Sequence, residues 1–512
     1  MKEFATKIER ELEAGLRSDS RAKVNHIQLV QCKNLKPVKG VGLCPYEPAS
    51  NPFSGLSYSH PFPQLFKGRN VTLLAFATAV YTVNESTWAK TLITTYDVFD
   101  EASTKSITTG GAWHFVDLGD VWFLFNGVCV VFKTNRRGMF GYSEKVFVQT
   151  VQTIQTGCTH RGRVITGGFS SDFWQGDWKQ WMDEWLADGG SGVEKANLGS
   201  NFVMWSGIGG GDLLFWLLPR MAIYGVLEDP NYHSNTKALI FDMLKRNDLG
   251  WMPMEWEGTV QRVAPLGKNV IVYGDNGVTA LVPVVEPVST FGKVEIATFG
   301  VYGRACVGVG KDRHIFLDKA GRVWQITADL QLTQLGYEEF LYSTLATAII
   351  SYNPILEEFV IGHSAGSYVL TDAGLGFATQ KVTSIAVIDG AVKGVAPDVS
   401  DVEALIETDR FDLGVRGIKQ LSTINIGGTS LTSSVMSVAA KYRFNKGSAL
   451  STTPYMITNN EGNARLEPSG IDFALLVKNT NYVYADIGYI EVRYRVTDRR
   501  YIRGIYASQN TE

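Results

Sequence analysis

The segment Gly362-His363-Ser364-Ala365-Gly366 has the spacing of a nucleophile elbow, the G-x-S-x-G motif of serine hydrolases. Such a serine needs a helix immediately after it and a histidine further along the chain that acts as its base. Here residues 367–371 have the composition of a strand, and His363 is the last histidine of the sequence. We therefore predict that Ser364 belongs to a turn and is not a nucleophile.

Three aspartates lie beside glycine-containing turns, where a propeller glycosidase would hold its two carboxylates. They are Asp275, Asp318 and Asp372. Residues 275–279 are similar to part of the aspartate box of sialidases, but the preceding serine and the closing tryptophan are missing. Aspartate is also frequent in turns because its carboxylate accepts backbone hydrogen bonds. The sequence favours this structural role.

The glycine-rich segments and the histidines do not have the spacing of a phosphate or metal site. Residues 308–312 lack the glycine spacing and the Ser or Thr of a phosphate loop, and residues 207–211 precede an apolar strand rather than a helix. The seven histidines never lie three or four residues apart, as a compact metal motif requires. We predict no cofactor, no metal and no enzymatic activity.

Three glycine-centred hairpin patterns organise the central part of the chain. In each, a short run rich in β-branched and aromatic residues precedes a turn, and a second such run follows. The turn glycines are Gly277, Gly321 and Gly366, at spacings of 44 and 45 residues. This period is the length of one four-stranded blade of a β-propeller.

Related patterns occur earlier in the chain. Asn126-Gly127 between two apolar runs is a strong hairpin signal, and similar units lie around Gly167 and after Gly209. About six blade-like units fit between residues 65 and 395, or about seven if the first strands close with the last.

Composition limits the class of protein. With 512 residues, 52 glycines and 12% aromatic residues, the chain is typical of a turn-rich β protein of two or three domains. A net charge of −3 argues against binding nucleic acid by wholesale phosphate neutralisation. The five irregularly spaced cysteines predict no disulfide framework. Without a signal peptide or a long apolar run, we expect a soluble protein, with no membrane span, made in a reducing cytoplasm.

The predicted fold is mainly β and has three parts. Residues 1–64 form an N-terminal helix and an extended arm interrupted by prolines. Residues 65–395 form a six- to seven-bladed β-propeller-like domain, with helical insertions at about 170–200 and 230–255. Residues 396–512 contain alternating apolar and polar runs and form a C-terminal β-sandwich.

Apolar stripes on two predicted helices are candidate interaction surfaces. Phe4, Ile8 and Leu12 are spaced four apart in a predicted helix over residues 2–17, which either caps its own domain or docks on a partner chain. The first insertion carries one aromatic face, which either packs on its own blade or anchors a partner. That face consists of Trp174, Trp178, Trp181 and Trp185.

The last part of the chain is locally polarised. Residues 398–412 hold six acids and one base, whereas residues 493–503 hold five bases and one acid. A strand would place Arg493 and Arg495 on one face. Such a face could contact the DNA backbone or pair with the acidic segment, and a solvated or salt-bridged face is favoured. The other bases of this set include Arg499 and Arg500.

Short phrases spread over most of the chain resemble tail proteins of short-tailed bacteriophages of the podovirus type. The class that they resemble is the β-propeller tail nozzle, or tail hub. The phrases are Leu35-Lys-Pro-Val38, Gly42-Leu-Cys-Pro-Tyr-Glu-Pro48, Trp205-Ser-Gly-Ile-Gly-Gly-Gly-Asp212, Arg246-Asn-Asp-Leu-Gly-Trp-Met-Pro-Met254, Thr408-Asp-Arg-Phe-Asp-Leu-Gly-Val-Arg-Gly-Ile-Lys419 and Arg499-Arg-Tyr-Ile-Arg-Gly-Ile505.

The resemblance implies a structural protein of the virion tail that is made in the host cytoplasm. It implies a homohexameric ring below the portal and adaptor proteins, beside tail fibres or spikes. The lumen of that ring would conduct and gate genomic double-stranded DNA during packaging retention and ejection. A nearly neutral wall suits this role, because a strongly basic wall would trap the passing DNA. Acids of residues 398–412 are one candidate for the lumen lining, and no catalytic residue is implied.

A second function class remains open from the sequence. A β-propeller with turn aspartates is also compatible with a glycosidase or a glycan-binding protein that acts on host surface polysaccharide. Ring formation and position in an intact particle distinguish the two classes.

Overall fold

The structure is a computed structural model, and it describes most of the chain. The protein is mainly β, as predicted. No helix among the described residues is long and apolar enough to cross a membrane. The tryptophan-rich insertion and most of the second predicted insertion lie outside the described residues. The described residues are 3–16, 28–97, 102–119, 121–133, 145–150, 154–169, 187, 200–207, 250–284, 291–397, 403–415, 417–428, 436–479 and 485–497.

The chain divides into two compact units that both draw on distant segments. The first unit comprises Met1–Ala49, Leu356–Val382 and Ala396–Glu512. The second comprises Ser50–Ile355 and Thr383–Val395. The N-terminal residues therefore group with the C-terminal residues, whereas the sequence predicts them as separate segments. Strand pairing between distant residues produces this grouping.

The N-terminus is a strand and a short helix, so the prediction of one helix over residues 2–17 was wrong. β1 (Glu3–Ile8) precedes α1 (Arg10–Ala14). All residues of β1 pair antiparallel with the strand Tyr489–Val496. A backbone ladder with a distant strand outweighs the local four-residue periodicity that favoured a helix.

The predicted extended arm contains three strands. They are β2 (Leu29–Lys33), β3 (Leu35–Val38) and β4 (Gly42–Pro45), and β3 and β4 form an antiparallel hairpin. Residues 46–63 contain no named strand, which is consistent with their prolines because proline lacks the N–H group that a ladder needs.

Five small sheets follow one another in the second unit, and each is an antiparallel meander of consecutive strands. Such meanders are the building units of β-propellers. In the second sheet, β9 is added parallel to β13. The first sheet contains β5 (Gln64–Lys67), β6 (Thr72–Ala75), β7 (Val80–Val83) and β8 (Lys90–Leu92), and the second contains β9 (Thr95–Asp97), β10 (His114–Asp117), β11 (Trp122–Phe125), β12 (Val130–Lys133) and β13 (Val146–Gln149). The third sheet contains β14 (Ile154–His160), β15 (Arg163–Phe169), β16 (Phe202–Trp205) and β17 (Gly250–Pro253), and the fourth contains β18 (Val260–Leu266), β19 (Asn269–Gly274), β20 (Val278–Pro283) and β21 (Phe291–Ala297). The fifth sheet contains β22 (Val307–Val309), β23 (Arg313–Leu317), β24 (Val323–Thr327) and β25 (Leu332–Gly336).

The remaining elements alternate between the two units. The second unit adds α2 (Glu338–Leu341), a 3₁₀ helix over Tyr342–Thr347 and β26 (Ile349–Asn353). The first unit then contributes β27 (Glu358–His363), β28 (Gly366–Leu370) and β29 (Leu375–Ala378). A hairpin of β30 (Ser384–Ile388) and β31 (Ala391–Val395) belongs to the second unit. The first unit ends with β32 (Ala404–Thr408), β33 (Lys419–Gly427), β34 (Met436–Arg443), β35 (Ser451–Thr452), β36 (Met456–Ile457), β37 (Asn463–Arg465), β38 (Ser469–Gly470), β39 (Asp472–Asn479) and β40 (Tyr489–Val496).

Two sheets organise the first unit. One has the strand order β1-β40-β33-β37, with β38 also on β33. The other includes the order β27-β28-β29-β2-β32-β39-β34-β35, with β36 also on β34. β2 thus lies between β29 and β32, which explains why the N-terminal arm is integral to this unit.

The core of the second unit lies between neighbouring sheets. In β19, Val270 and Val272 pack with side chains of the third sheet, including Val203. The intervening Ile271 and Tyr273 pack with the fifth sheet instead. Because consecutive side chains of a strand point to opposite faces, both faces of this sheet are buried. This explains the unbroken apolar run in the sequence.

The three periodic glycines occupy equivalent hairpins, but packing requires each for a different reason. A Cβ atom on Gly277 would lie 2.1 Å from Cδ1 of Trp256. Gly321 has a φ of +81°, which L side chains rarely adopt. A Cβ atom on Gly366 would lie 2.6 Å from the carbonyl oxygen of Ala378. Gly167, in contrast, lies inside β15 rather than in a turn.

His314 makes the packing between the fourth and fifth sheets sensitive to pH. Its Nδ1 lies 2.9 Å from the Tyr273 hydroxyl, and its Nε2 lies 3.0 Å from the Pro265 carbonyl oxygen. Burial lowers the pKa of His314 from 6.5 to about 3. The unfolded chain binds a proton here below about pH 6.5, whereas the folded chain does not. The free energy of unfolding should therefore fall as the pH drops below 6.5, by up to about 1.4 kcal/mol per pH unit.

Between pH 6.5 and 5, we expect His314→Gln to remove the contribution of His314 to the slope of the free energy of unfolding against pH. Urea unfolding measures this slope. Tyr273→Phe is the matched control, because it removes the hydroxyl partner and keeps the titrating ring. Tyr273→Phe should lower the free energy of unfolding at every pH and leave its slope against pH unchanged. An unchanged slope in His314→Gln would show that another group carries the pH dependence.

Candidate functional site

A cavity of about 410 Å³ lies within the second unit. β5, β10, β18, β22, β26 and β30 contribute to its wall. Apolar side chains form part of the lining, among them Ile349 and Ile350 of β26. Its volume is within the range of small-molecule sites, about 300–1,000 Å³.

The charged part of the lining is positive. Lys67, Arg262 and Arg304 line the cavity together with the imidazole of His114. None of the described lining residues is aspartate or glutamate. Lys67 forms an ion pair with Glu85. Neither arginine has a carboxylate partner among the described residues, so their charges are uncompensated within this part of the structure.

Arg304 is fixed by neighbouring oxygen atoms. Its Nη2 donates to the carbonyl oxygens of Phe125, at 2.9 Å, and Gln155. Its Nη1 donates to Oε1 of Gln155 at 3.2 Å. A Cβ atom on Gly127 would lie 2.2 Å from Nη1, so the glycine of the predicted Asn-Gly hairpin makes room for the guanidinium. The Nε atom of Arg304 is buried without a hydrogen-bond partner among the described residues.

The side chain of Arg262 has no hydrogen-bond partner among the described residues, and its Nε atom is buried. The ladder between β18 and β19 is irregular between Val260 and Arg262. Such bulges change the direction of the next side chain. The adjacent Gln261 is used differently, because its Nε2 donates to Oδ1 of Asp275 at 2.8 Å.

Apart from Arg304, three titratable groups near Arg262 are neutral, namely Cys158, Tyr273 and His114. Burial raises the pKa of the Cys158 thiol to about 12 and holds the pKa of Tyr273 well above its ordinary value. Burial, with Arg262 and Arg304 as smaller contributions, lowers the pKa of His114 well below its ordinary value. At neutral pH these groups offer dipoles and no negative charge.

The two guanidinium groups are close enough to affect each other. Burial lowers the pKa of Arg262 to about 10. Burial and then the charge of Arg262 lower the pKa of Arg304 to about 9. Both side chains therefore stay charged at neutral pH, although burial and mutual repulsion oppose the charge.

The sequence alone does not indicate this cluster. His114 lies in β10, Arg262 in β18 and Arg304 in the turn before β22, and all three are isolated polar residues in the sequence. The one local signal in the sequence is Arg262 itself, because it is a charged residue in β18, which is otherwise mainly apolar after its bulge. Only the meeting of the strands around the cavity brings the three side chains together.

The apparent nucleophile elbow is a hairpin. Ser364 lies in the turn between β27 and β28, where His363 pairs with Gly366. A strand follows the serine, as predicted, so the strand-to-helix geometry of an elbow is absent here. His363 stacks on Tyr368 with ring centroids 5.5 Å apart, and its Nδ1 accepts a hydrogen bond from the Ala365 backbone.

Two of the aspartates considered as catalytic carboxylates, Asp318 and Asp275, accept hydrogen bonds from neighbouring backbone groups. Asp318 accepts hydrogen bonds from the backbone N–H groups of Ala320 and Arg322, and from Nε1 of Trp324. Asp275 accepts one from the backbone of Thr259. Among the described residues, no group of three His, Cys, Asp or Glu side chains is arranged to hold a metal.

The predicted N-terminal interaction residues are mostly internal. Ile8 and Leu12 are buried. Phe4 is 40% exposed and stacks on Tyr494 at 5.6 Å. A role of these residues in docking on a partner stays a prediction. Trp174, Trp178, Trp181, Trp185, Arg499 and Arg500 lie outside the described residues.

The predicted basic face of β40 is salt-bridged. Arg493 and Arg495 are exposed, and Tyr494 between them is buried. Arg493 pairs with Glu491 at 2.7 Å, and Arg495 pairs with Glu3 at 3.4 Å. The nearby acids reduce the attraction of this face for a phosphate backbone.

A set of exposed apolar side chains lies at one end of the larger sheet of the first unit. β35 and β36 both pair with β34. Met456 is 44% and Ile457 is 70% exposed. Lys478 lies over the ring of Tyr455. We call this set the apolar edge, and it consists of Phe444, Leu450, Tyr455, Met456 and Ile457.

No protein-family model and no curated protein matches the chain. Among solved structures, the chain is similar to BamB from Moraxella catarrhalis, with 10% identity, 65% of this chain and 90% of that chain covered, and a TM-score of 0.30. It is similar to the extracellular domain of BT4673 from B. thetaiotaomicron, with 8% identity, 80% and 44% covered, and a TM-score of 0.35. These TM-scores are too low to support an inference about function.

The turn role of Asp318 can be tested by stability. Asp318→Ala should lower the free energy of unfolding by about 2–4 kcal/mol, because two backbone N–H groups and the Trp324 indole lose their acceptor. Asp318→Asn keeps one acceptor oxygen and should lose less. The matched control is Asp312→Ala at an exposed position, which should change stability by less than about 0.5 kcal/mol in urea unfolding. Equal effects of Asp318→Ala and Asp312→Ala would contradict the turn role.

Proposed function

We propose that this protein is a structural subunit of a short phage tail, a nozzle or hub protein that assembles into a ring around the path of the DNA. The apolar edge is the observation that carries the proposal, because it gives the subunit a surface for self-association. The sequence phrases that resemble tail nozzle proteins supply the class. The partners in this proposal are other copies of the chain, adaptor and portal-side proteins, tail fibres or spikes, and DNA in transit.

The apolar edge has the properties of an interface between subunits. Exposed edge strands with apolar side chains tend to associate, and soluble monomers usually protect them with charge. The supporting strand is anchored, because Nε of Arg443 lies 2.8 Å from Oδ1 of Asp472 and its Nη2 lies 2.6 Å from Oδ2. A rigid apolar edge loses little conformational entropy when a second copy covers it.

The DNA path in this proposal lies between subunits rather than inside one. A cavity of about 410 Å³ is too small for a duplex, whose major groove alone is about 12 Å wide. A single chain therefore offers a wall, and a lumen requires several copies. We propose a homohexamer, in which each copy contributes a propeller of six or seven blades and a C-terminal β-sandwich.

Local charge pairing supports a wall that lets DNA pass. Of the acidic segment, Glu403 pairs with Lys478, and Glu407 pairs with Lys441. The exposed arginines of β40 are paired as well. Such pairing reduces the free charge of these described side chains, and each unpaired cation would add affinity for phosphate. The glycosidase alternative has less support, because the carboxylates of Asp275 and Asp318 already accept structural hydrogen bonds from backbone N–H groups.

Assembly can be tested at the apolar edge. Met456→Lys with Ile457→Lys should prevent ring formation, because a charged side chain buried in an interface is costly. The control is Leu92→Lys, which places one lysine on another exposed edge residue, 58% exposed in β8. Mass photometry of the wild type, with the adaptor protein added if needed, should show a mass six times that of the chain.

The two outcomes separate the function classes. Electron microscopy of intact particles should place the wild-type chain in a ring at the tail. A monomer that binds or cleaves glycans, and that is absent from the tail, would overturn the proposal. Rings of normal size in the double lysine variant would show that another surface forms the contact.

A further inference from the structure

We propose that the cavity of the second unit binds a small oxyanion, a phosphate or carboxylate group, on the guanidinium of Arg262. Arg262 lines the cavity, and its side chain makes no hydrogen bond to any described residue. The proposed site concerns a soluble ligand inside one chain, and it does not depend on ring assembly.

The first step is the unmet hydrogen-bonding capacity of Arg262. A guanidinium group carries five N–H donors in a planar fork that matches the two oxygens of a carboxylate or phosphate. Buried polar groups in folded proteins are almost always paired. Two nearby described groups, the Cys158 thiol and the Tyr273 hydroxyl, could balance the charge of Arg262 only if they lost a proton. Both hold their protons at neutral pH. An oxyanion in the cavity would satisfy these donors.

The second step is the excess of positive charge. Arg262 and Arg304 repel each other across the same cavity, and Lys67 lies in its wall. The described lining contains no acidic residue. Two partly buried like charges are costly when no counter-charge accompanies them. A bound anion reduces this cost, and the same excess of positive charge disfavours cations as ligands.

The third step is that the two arginines have different roles in the proposed site. The Nη atoms of Arg304 donate hydrogen bonds to Gln155 and Phe125, and these bonds fix the position of the side chain. It therefore acts mainly through its charge. Arg262 keeps its donors for the ligand, so it forms the direct contact. His114 lies between a hydroxyl and a backbone carbonyl, with Nδ1 2.9 Å from Oγ1 of Thr156 and Nε2 3.3 Å from the carbonyl oxygen of Arg304.

The fourth step limits the size of the ligand. A volume of about 410 Å³ excludes a nucleic acid duplex and accommodates a small organic acid or a phosphate ester. The apolar part of the wall, which includes Ile349 and Ile350, suits the carbon skeleton of such a ligand. Inorganic phosphate and succinate represent the two possible sources of the oxyanion.

The test compares sodium phosphate, sodium succinate and sodium chloride at equal ionic strength. With the wild-type chain, phosphate or succinate at about 10 mM should raise the thermal midpoint by about 2 °C or more over chloride. Arg262→Met should remain folded, because it replaces a charge without a partner by an apolar side chain of similar length. It should lose the anion-specific rise, and calorimetric titration should show at least about a tenfold loss of affinity.

Two further variants keep the result interpretable. Arg69→Met removes an exposed arginine of the same unit and should keep the wild-type response. Arg262→Lys keeps the charge and loses the planar fork, so it should bind the same anion more weakly than the wild type. If Arg262→Met fails to fold, the comparison of Arg262→Lys with the wild type decides.

Three results would overturn the site. One is a wild-type chain with no anion-specific rise in either phosphate or succinate. Another is an equal rise in the wild type and in Arg262→Met. The third is equal anion affinity in the wild type and in Arg262→Lys.

Discussion

Burial of both faces of the sheets is the constraint on which the second unit depends. Side chains of β19 alternate between two cores, with Val270 and Val272 on one side and Ile271 and Tyr273 on the other. A sheet of this kind packs against a neighbouring sheet on each face. Displacing it would therefore expose apolar surface on both faces. Because apolar burial is the main favourable term in folding, this shared packing holds the meanders together.

Close packing of the sheets also determines what the turns can contain. Gly277 lies against the ring of Trp256, where any Cβ atom would collide. Asp318 is buried and satisfies N–H groups of its own turn. The same requirement explains why Ser364 lies in a motif that resembles a hydrolase elbow and yet leads into a strand. The fold gives each of these residues a structural role.

Charge is treated differently at the surface and in the cavity. On the first unit, Arg493 and Arg495 are paired with acids, and so is Lys441. In the cavity, Arg262 and Arg304 both line the wall without an acidic residue in the described lining. Exposed pairs contribute little to stability, whereas unpaired charges in a cavity are costly and therefore informative.

The sequence by itself determined the β class and the hairpin register, because alternation, turn glycines and the 44- and 45-residue spacings are local features. It also determined that Ser364 precedes a strand. It did not determine the strand at Phe4, the burial of Ile8, or the placement of the arm between β29 and β32. Those depend on ladders with residues hundreds of positions away, which outweigh local helical periodicity. The cluster of Arg262, Arg304 and His114 was likewise decided only by tertiary structure, because a cavity exists only where distant strands meet.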